Sequence, residues 1–311
     1  MMKKYRIAAY ITAYEDPEAV NRCIAAIQRQ SYTVEKIFIV DNSRVKILSP
    51  EVHENNIVIQ FHPENIGIAS GLRIGVNWAI EQGYDFLWTF DQDSEPFNDS
   101  LEKLLARYSK LTDQGLSIGI IAPLPIDFET GLNLHGDIFN NYKLAPAPGR
   151  ESNEDFYECD VVITSGSLVA LEVAKNVELP DENLFIDAVD WAYCMNFRSH
   201  DYKIIVLKNA ILKHCFGTPY QVKSIFKRKD IKIHRYSPLR YYYICRNQTF
   251  VETRLARETK QAHKAIAHRL IVSLRVLAKI LVYESDLTLL KAWACIRGTS
   301  DGLFGKLGKT W

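Results

Sequence analysis

The sequence predicts an α/β fold: a mostly parallel sheet flanked by helices, followed by a helical C-terminal appendage. Three observations carry this prediction. Up to about residue 115, short apolar runs alternate with helical stretches, the β-α-β-α order that produces parallel strands and crossover helices. The runs end in Thr12, Asp41 and Asp91, at the strand ends where ligands of such sheets gather. From Ser237 onward the apolar spacing is helical.

In chain order, Arg6 to Thr12 reads as a strand and Pro17 to Gln30 as a helix, with Asp16 as N-cap before Pro17. Lys36 to Val40 is a strand that runs into Asp41-Asn42-Ser43, and Ile57 to Phe61 is another. Ile68 to Gln82 reads as a helix closed by Gly83, the run into Phe90 as a buried strand, and Ser100 to Thr112 as a helix. Ile118 to Ala122 follows as a strand. Residues 127–157 are rich in Gly, Pro and Asn and read as loops; Val161 to Leu171 is strand-like around Thr164-Ser165-Gly166-Ser167. Leu184 to Phe197 begins as a loop and becomes a helix, and Ile204 to Leu207 and Ala210 to His214 are two short strands.

Composition bounds the rest. The chain has 311 residues, 47% apolar and 24% charged, enough for a sizeable core and unlike a disordered chain. A net charge of +1 hides an asymmetry. Residues 1–222 carry 19 Lys and Arg against 31 Asp and Glu; residues 223–311 carry 19 against 6. A body over 1–222, divided near residue 115, therefore precedes a basic, mostly helical region over 223–311. Basic surfaces favour anionic partners, but the acidic body argues against nucleic acid. The six cysteines are scattered, the N-terminus lacks a signal-peptide core and no apolar run spans a bilayer, so the expectation is a cytoplasmic protein with free thiols.

The chemistry is concentrated in a few segments. In Phe90-Asp91-Gln92-Asp93-Ser94, two carboxylates one residue apart stand past a buried strand, placed to share one divalent cation. Such a cation suits a diphosphate. Asp41 offers a carboxylate to a base N–H. Asn65-Ile66-Gly67 opens a helix whose N-terminus favours an anion, although the pattern is not the dinucleotide G-x-G-x-x-G. Asp187 and Asp190 lie in an apolar stretch that suits a general base, and a helix over 187–191 would put both on one face. His214 follows a strand and is a further candidate ligand for the metal begun by Asp93. Arg240 and Arg246, among tyrosines, are candidates to clamp phosphate oxygens.

Taken in order, these segments resemble glycosyltransferase family 2, the inverting transferases of the GT-A, Rossmann-like fold, over nearly the whole chain. The resemblance runs through Thr12-Ala13-Tyr14, Val40-Asp41-Asn42-Ser43, Asn65-x-Gly67, Asp91-x-Asp93, Ser165-Gly166, Asp187/Asp190 and His214-x-x-Gly217. Phe-Asp-Gln-Asp-Ser, Phe-Ile-Asp-x-Val-Asp and Ser237-Pro238-Leu239-Arg240-Tyr241-Tyr242-Tyr243…Arg246-Asn247 are similar to the bacterial rhamnosyltransferase branch, which uses dTDP-L-rhamnose to build O-antigen or other surface polysaccharide. The resemblance implies a nucleotide-sugar half to about 115, an acceptor half over 116–222, and these roles. Thr12, Ala13, Tyr14, Asp41, Asn65, Gly67, Arg73, Asp91, Gln92, Arg240, Tyr243 and Arg246 would bind the nucleotide sugar. Ser165, Gly166 and Trp191 would lie near sugar and acceptor. Asp91, Asp93 and His214 would hold Mg2+ or Mn2+, and Asp187 or Asp190 would be the base. Relatives often carry an acidic pair at 187–188, but Ala188 stands here, so the choice between Asp187 and Asp190 stays open.

The implied partners are a nucleotide-sugar donor and a glycan or undecaprenyl-linked acceptor. Ile266, Leu270, Ile271, Leu274, Leu277, Ala278 and Leu281 follow helical spacing, with Arg269, Arg275 and Lys279 between them. Such a helix packs on the catalytic domain or on a twin subunit, or lies with a basic face on the inner membrane leaflet. Two rivals remain: the same fold with a UDP-glucose, UDP-galactose or UDP-GlcNAc donor, and a silent glycan- or nucleotide-binding protein.

Overall fold

A computed structural model describes residues 4–47, 56–128, 130–215, 219–223 and 230–311. The Gly217 end of the His214-x-x-Gly217 motif lies outside these. The chain divides into two compact units. The first comprises Met1–Ile138, Ala145–Glu182 and Val189–Cys215; the second comprises Phe139–Leu144, Asn183–Ala188 and Phe216–Trp311. The sequence reading assigned 139–144 and 183–188 to the body; by contacts they group with the basic tail.

The first unit is built on β1 (Ile7–Ala13), α1 (Pro17–Gln28), β2 (Lys36–Asp41), β3 (Ile57–Phe61), α2 (Gly67–Glu81), β4 (Phe86–Asp91), β5 (Ser94–Pro96), α3 (Ser100–Asp113) and β6 (Ile118–Asp127). A ribbon of β7 (Asp137–Phe139) and β8 (Leu144–Pro146) follows, its residues 139–144 counted in the second unit. Then come β9 (Phe156–Cys159), β10 (Leu168–Ala170), α4 (Leu171–Ala174), α5 (Val189–Ser199) and β11 (Lys203–His214). The sheet runs β3-β2-β1-β4-β10-β6-β11-β5, with β9 also on β11. Its six main strands, β3, β2, β1, β4, β6 and β11, share one direction; the short β5, β9 and β10 oppose them. The predicted α/β class, mostly parallel and flanked by helices, is the observed one.

Local chemistry explains the elements. Asp16 caps α1 by accepting the Ala19 N–H at 2.9 Å, and Pro17 sits where its missing N–H costs nothing. Strand β1 is buried along its whole length because helices cover both faces. Ile7, Ala9 and Ile11 share a core with Val20, Cys23 and Ile27 of α1 and Leu101, Leu104 and Leu105 of α3. On the other face, Tyr10 lies against α2 where Gly71 and Gly75 leave room for its ring, and Phe38 stacks on Trp78 at 4.6 Å.

Several boundaries differ from expectation. The two strands read at 204–207 and 210–214 are one strand, β11, with a register shift between Leu207 and Ile211. Residues 127–157 are not all loop, since β7, β8, a 3-10 turn at Pro148–Glu151 and β9 lie within them. The strand expected from Val161 shrinks to β10, because Gly166 takes φ +79 and turns the chain.

The second unit contains the hairpin β12 (Pro219–Lys223) and β13 (Asp230–His234), then α6 (Pro238–Glu258), α7 (Ala262–Tyr283) and α8 (Thr288–Leu303). Helix α7 buries two polar residues and leaves much of its apolar surface outside. Its buried positions include Arg269 and Ser273, and Arg269 reaches Glu252 and Gln248 of α6. Ile266, Leu270, Ile271, Leu274 and Leu281 are exposed, as are Leu289, Trp293 and Ile296 of α8. Arg269, read as part of a basic outer face, is therefore an interior residue, and Leu277 packs against the inner cluster. No described helix is long and apolar enough to cross a membrane.

The Tyr10 contact yields a test. Gly to Ala in a helix ordinarily stabilises by about 0.5–1 kcal/mol. At Gly75 the new Cβ would strike the Tyr10 ring. Gly75→Ala is therefore expected to destabilise by about 1–3 kcal/mol, as overpacking does, measured by denaturant unfolding.

Candidate functional site

Three strand ends form one row in the first unit. Thr12 pairs across from Val40 of β2 and Asp91 of β4, and Ala13 pairs across from Asp41. The Asp41 carboxylate is fully buried and accepts the N–H groups of Ser43 at 3.0 Å and Ile47 at 3.1 Å. The group expected to meet a nucleotide base is thus occupied in shaping the loop after β2. Asn42 extends that loop's bonding by accepting the Ile66 N–H. Asn65, at φ 52, accepts from the N–H of Gly67 and so sets the entry to α2. Thr12 Oγ1 shares a 2.7 Å hydrogen bond with the Tyr10 hydroxyl, whose pKa is raised mainly by burial. Tyr14 is exposed. Arg73 of α2 donates to the Pro180 carbonyl and lies 3.8 Å from the Glu182 carboxylate.

Gln92, the central residue of Asp-x-Asp, has a defined task. Its Oε1 accepts the Tyr14 N–H at 2.6 Å and its Nε2 donates to the Tyr14 carbonyl at 3.0 Å. The amide latches the end of β1 onto the acidic turn, where the sequence suggested a direct donor contact.

The turn is folded back onto the sheet by β5, which pairs with β11 so that Ser94 faces His214. The backbone N–H of Cys215 donates to the Asp93 carbonyl. As a result Asp91, Asp93 and His214 offer ligand atoms within 4.8 Å of one another. A hydrogen-bond chain organises them. Ser165 donates to Asp91 Oδ2 at 2.9 Å and accepts the Asp91 N–H at 2.8 Å. Ser94 donates to Ser165 at 3.0 Å and lies 2.8 Å from His214 Nδ1. With the Ser94 proton used, Ser94 accepts from His214 Nδ1–H. Gly166 follows Ser165 and ties the loop to β4, its carbonyl accepting from Trp88 Nε1. Negative charge collects here: the Cys23 thiol is pushed well up, by burial first and then by Asp93, Asp91 and Glu95. Two carboxylates and one imidazole form an oxygen-rich set that fits Mg2+ or Mn2+.

The other acidic segment is divided, with Asp187 counted in the second unit and Asp190 in the first. Asp187 and Asp190 do not share a helix face, because α5 starts only at Val189 and Asp187 and Ala188 take φ 64 and φ 57. Asp190 stands in the first turn of α5, in the first unit, where Oδ1 accepts the N–H of Trp191. Asp187 lies 3.5 Å from the Arg240 guanidinium within the second unit. Arg240 is thereby engaged with a carboxylate and not offered solely to phosphate.

Arg246 and Tyr243 are corrections to the sequence reading. Both are fully buried. Arg246 donates to the carbonyls of Asn183, Leu184 and Gly308, beneath the ring of Tyr243 at 4.6 Å, and burial lowers its pKa. The Tyr243 hydroxyl accepts the Thr310 N–H. Neither can clamp a phosphate from that position. Asn247, which the sequence reading quoted but gave no role, donates to the carbonyls of Leu184, Ile186 and Asp187. An arginine and an asparagine beside tyrosines look alike in sequence whether they serve a ligand or a loop.

Arg246→Ala separates the two roles. It strips buried carbonyls of their donor, at about 1–3 kcal/mol for each one left unsatisfied. The expected result is a large loss of unfolding free energy, with nucleotide-sugar affinity of the folded fraction unchanged.

A dTDP-rhamnosyl transferase, RfbF, of Shigella flexneri is 30% identical over 185 residues, 59% of this chain and 58% of the relative. The match thus spans less than two thirds of that relative's length. The family model described as glycosyl transferase family 2 matches residues 9–177, more than half of the chain and all of the strand ends from Thr12 to Ser165. The chain belongs to glycosyl transferase family 2.

Proposed function

We propose that this glycosyltransferase moves L-rhamnose from dTDP-L-rhamnose to a hydroxyl of a glycan or lipid-linked acceptor in bacterial surface polysaccharide synthesis, with inversion. The observation that carries the reading is the Asp91-Asp93-His214 cluster at the ends of parallel strands. The donor rests on the printed activity of the Shigella relative.

In this mechanism the acceptor hydroxyl attacks the anomeric carbon opposite the departing nucleoside diphosphate. A carboxylate drawn from Asp187 and Asp190 takes its proton, a contribution of roughly 10²–10⁴-fold. A single in-line displacement turns a β-linked donor into an α-linkage. Asp91, Asp93 and His214 would hold Mg2+ or Mn2+, which when bound neutralises charge on the leaving diphosphate. Ser165 and Ser94 fix the ligands, Gln92 fixes Tyr14, and Thr12, Ala13 and Tyr14 line the approach of the nucleotide. Arg73, on α2, would supply a cation for the diphosphate.

The same reading places the enzyme at the inner face of the cytoplasmic membrane. An apolar outer face on α7 and α8, in a region with 19 basic and 6 acidic residues, fits an anionic lipid surface better than a second equally basic copy.

A binder stabilises the fold by about 2.7 kcal/mol at a hundred times its Kd. With Mn2+ present, dTDP-L-rhamnose is expected to raise the melting temperature more than UDP-glucose, UDP-galactose or UDP-GlcNAc, and chelation to abolish the difference. Equal protection by the UDP sugars would remove the rhamnosyl assignment. In a Mn2+ titration without donor, Ser94→Ala is expected to weaken binding about 10–100-fold, the usual cost of a lost outer-shell partner. In flotation, the protein should rise with phosphatidylglycerol vesicles at low salt and Leu274→Asp/Leu281→Asp should stay below; a wild-type chain that never rises refutes the membrane reading.

A further inference from the structure

We propose that a pocket at the seam of α6 and α8 takes the phosphate headgroup of a lipid; this deepens the membrane reading above and rests on it. The pocket lies wholly within the second unit and measures about 300 Å³. Its walls include Phe250, Arg254 and Arg257 of α6 and Leu303, Phe304 and Gly305 at the end of α8. Helix α8 lies directly on α6 because Gly298 and Gly302 carry no side chain. A Cβ at Gly298 would stand 2.3 Å from the Tyr242 carbonyl oxygen, and one at Gly302 2.3 Å from that of Arg246. Gly305 then closes α8 at φ +67, its N–H donating to the Gly302 carbonyl, and turns the chain beside Phe250.

The charge in this space has one sign. Arg254 and Arg257 stand three residues apart on α6 and share a face. Both are exposed, and among the described residues neither guanidinium is in an ion pair. The interior cations of the same unit are matched, Arg269 by Glu252 and Lys291 by Glu284. Arg257 lies in the last turn of α6, where a cation offsets the helix dipole. Arg254, a turn earlier, has no such duty, and its guanidinium is held 5.8 Å over the Phe250 ring that walls the pocket. Two forked guanidiniums on one cavity suit the oxygens of a phosphate, which can accept from both at once.

The other wall indicates what carries the phosphate. Leu289, Trp293 and Ile296 are exposed on α8, and successive spacings of four, three and seven residues put Leu303 on their face. The apolar stripe of α8 therefore runs into the pocket, and Phe304, 75% exposed, extends it. A free phosphate would engage the two arginines and leave that stripe in water. A lipid would use both features, its chains along the stripe and its headgroup on the arginines, as expected of a helix lying at the headgroup boundary.

The test floats the full chain with phosphatidylcholine vesicles doped with phosphatidic acid or with phosphatidylglycerol to equal surface charge. A phosphomonoester offers the arginines one more free oxygen than a phosphodiester, so phosphatidic acid vesicles are expected to bind about tenfold more tightly. Arg254→Ala/Arg257→Ala should bring the two kinds within about twofold of each other. Lys264→Ala/Arg275→Ala removes the same charge from exposed positions of α7; it should weaken both kinds alike and keep the preference. Calorimetry with monomeric dihexanoyl phosphatidic acid reports on the pocket without a membrane. Binding is expected there, lost in the Arg254/Arg257 variant, with inorganic phosphate about tenfold weaker or more.

Equal flotation of the wild-type chain with both lipids overturns the pocket and leaves the membrane reading standing. A preference that survives loss of both arginines also overturns it. Inorganic phosphate that binds as tightly as the short-chain lipid makes this a free-anion site and overturns the lipid. If the chain floats with neither kind, the membrane reading falls; short-chain lipid that then still binds through Arg254 and Arg257 supports the site by itself, and none bound removes both.

Discussion

The Asp91-Asp93-His214 cluster depends on three residues of antiparallel pairing. Strand β5 lays Ser94, Glu95 and Pro96 against His214, Lys213 and Leu212, and without that contact His214 has no reason to meet an acidic turn 120 residues earlier in the chain. Closing so long a loop is not expensive in itself, because the entropy cost grows only with the logarithm of length. What needs explanation is why like charges stay together at the end of it. Ser165 holds Asp91 by its backbone N–H and its carboxylate at once, and Cys215 holds the Asp93 carbonyl. The fold therefore gathers Asp91, Asp93 and Glu95 near one another; the Cys23 thiol beside them is pushed up by burial first and then by these carboxylates. Such a site is suited to a cation.

The second unit follows a different logic. Its interior holds ion pairs: Arg269 with Glu252, and Lys291 with Glu284, whose other oxygen accepts from Tyr241. Buried pairs contribute little net stability, since desolvation offsets most of the attraction. They do fix which helix faces which. Meanwhile Leu270, Leu274, Leu281, Leu289 and Trp293 are left outside. An amphipathic helix normally turns its apolar side inward. So much apolar surface outside is understandable if that face meets something apolar in use, while inside the unit a polar network stands beside the cluster of Ile280, Tyr241 and Tyr243.

Much of this was legible beforehand, and what was not has physical reasons. The long strands are continuous apolar runs, the helices carry a period of 3.6, and Asp16-Pro17 is a local capping signal, so β1, α1, β2, β3 and α2 lie within one or two residues of expectation. Strand β5 has three residues, one of them proline, and no periodicity can announce it. The acidic pair and His214 were readable because metal chemistry restricts residue type; their joining through Ser94 was not, since serine is common. Arg246 misled because its signal, a guanidinium among tyrosines, is the same for a buried splint as for a phosphate clamp. The loop at 185–188 misled more deeply. Phe185, Asp187 and Ala188 give no local sign of left-handed backbone, and only the distant Asn247 shows what holds it.

Gln92 unites the two sides of the first-unit site. The two carboxylates of Asp-x-Asp are chosen by charge, while the residue between them is chosen by valence. A carboxamide is an acceptor at one atom and a donor at the other, and Gln92 uses both on the single peptide unit of Tyr14. Glutamate would keep the acceptor, lose the donor and add a third negative charge beside Asp91 and Asp93; leucine would lose both. The exit of β1, which carries Thr12, Ala13 and Tyr14, is therefore locked to the acidic turn by a residue that need never touch the ligand. The acidic turn and the end of β1 are thereby tied by two hydrogen bonds. That tie fixes the distance between the acidic turn and the strand end, which is the constraint that positioning two groups of one ligand imposes.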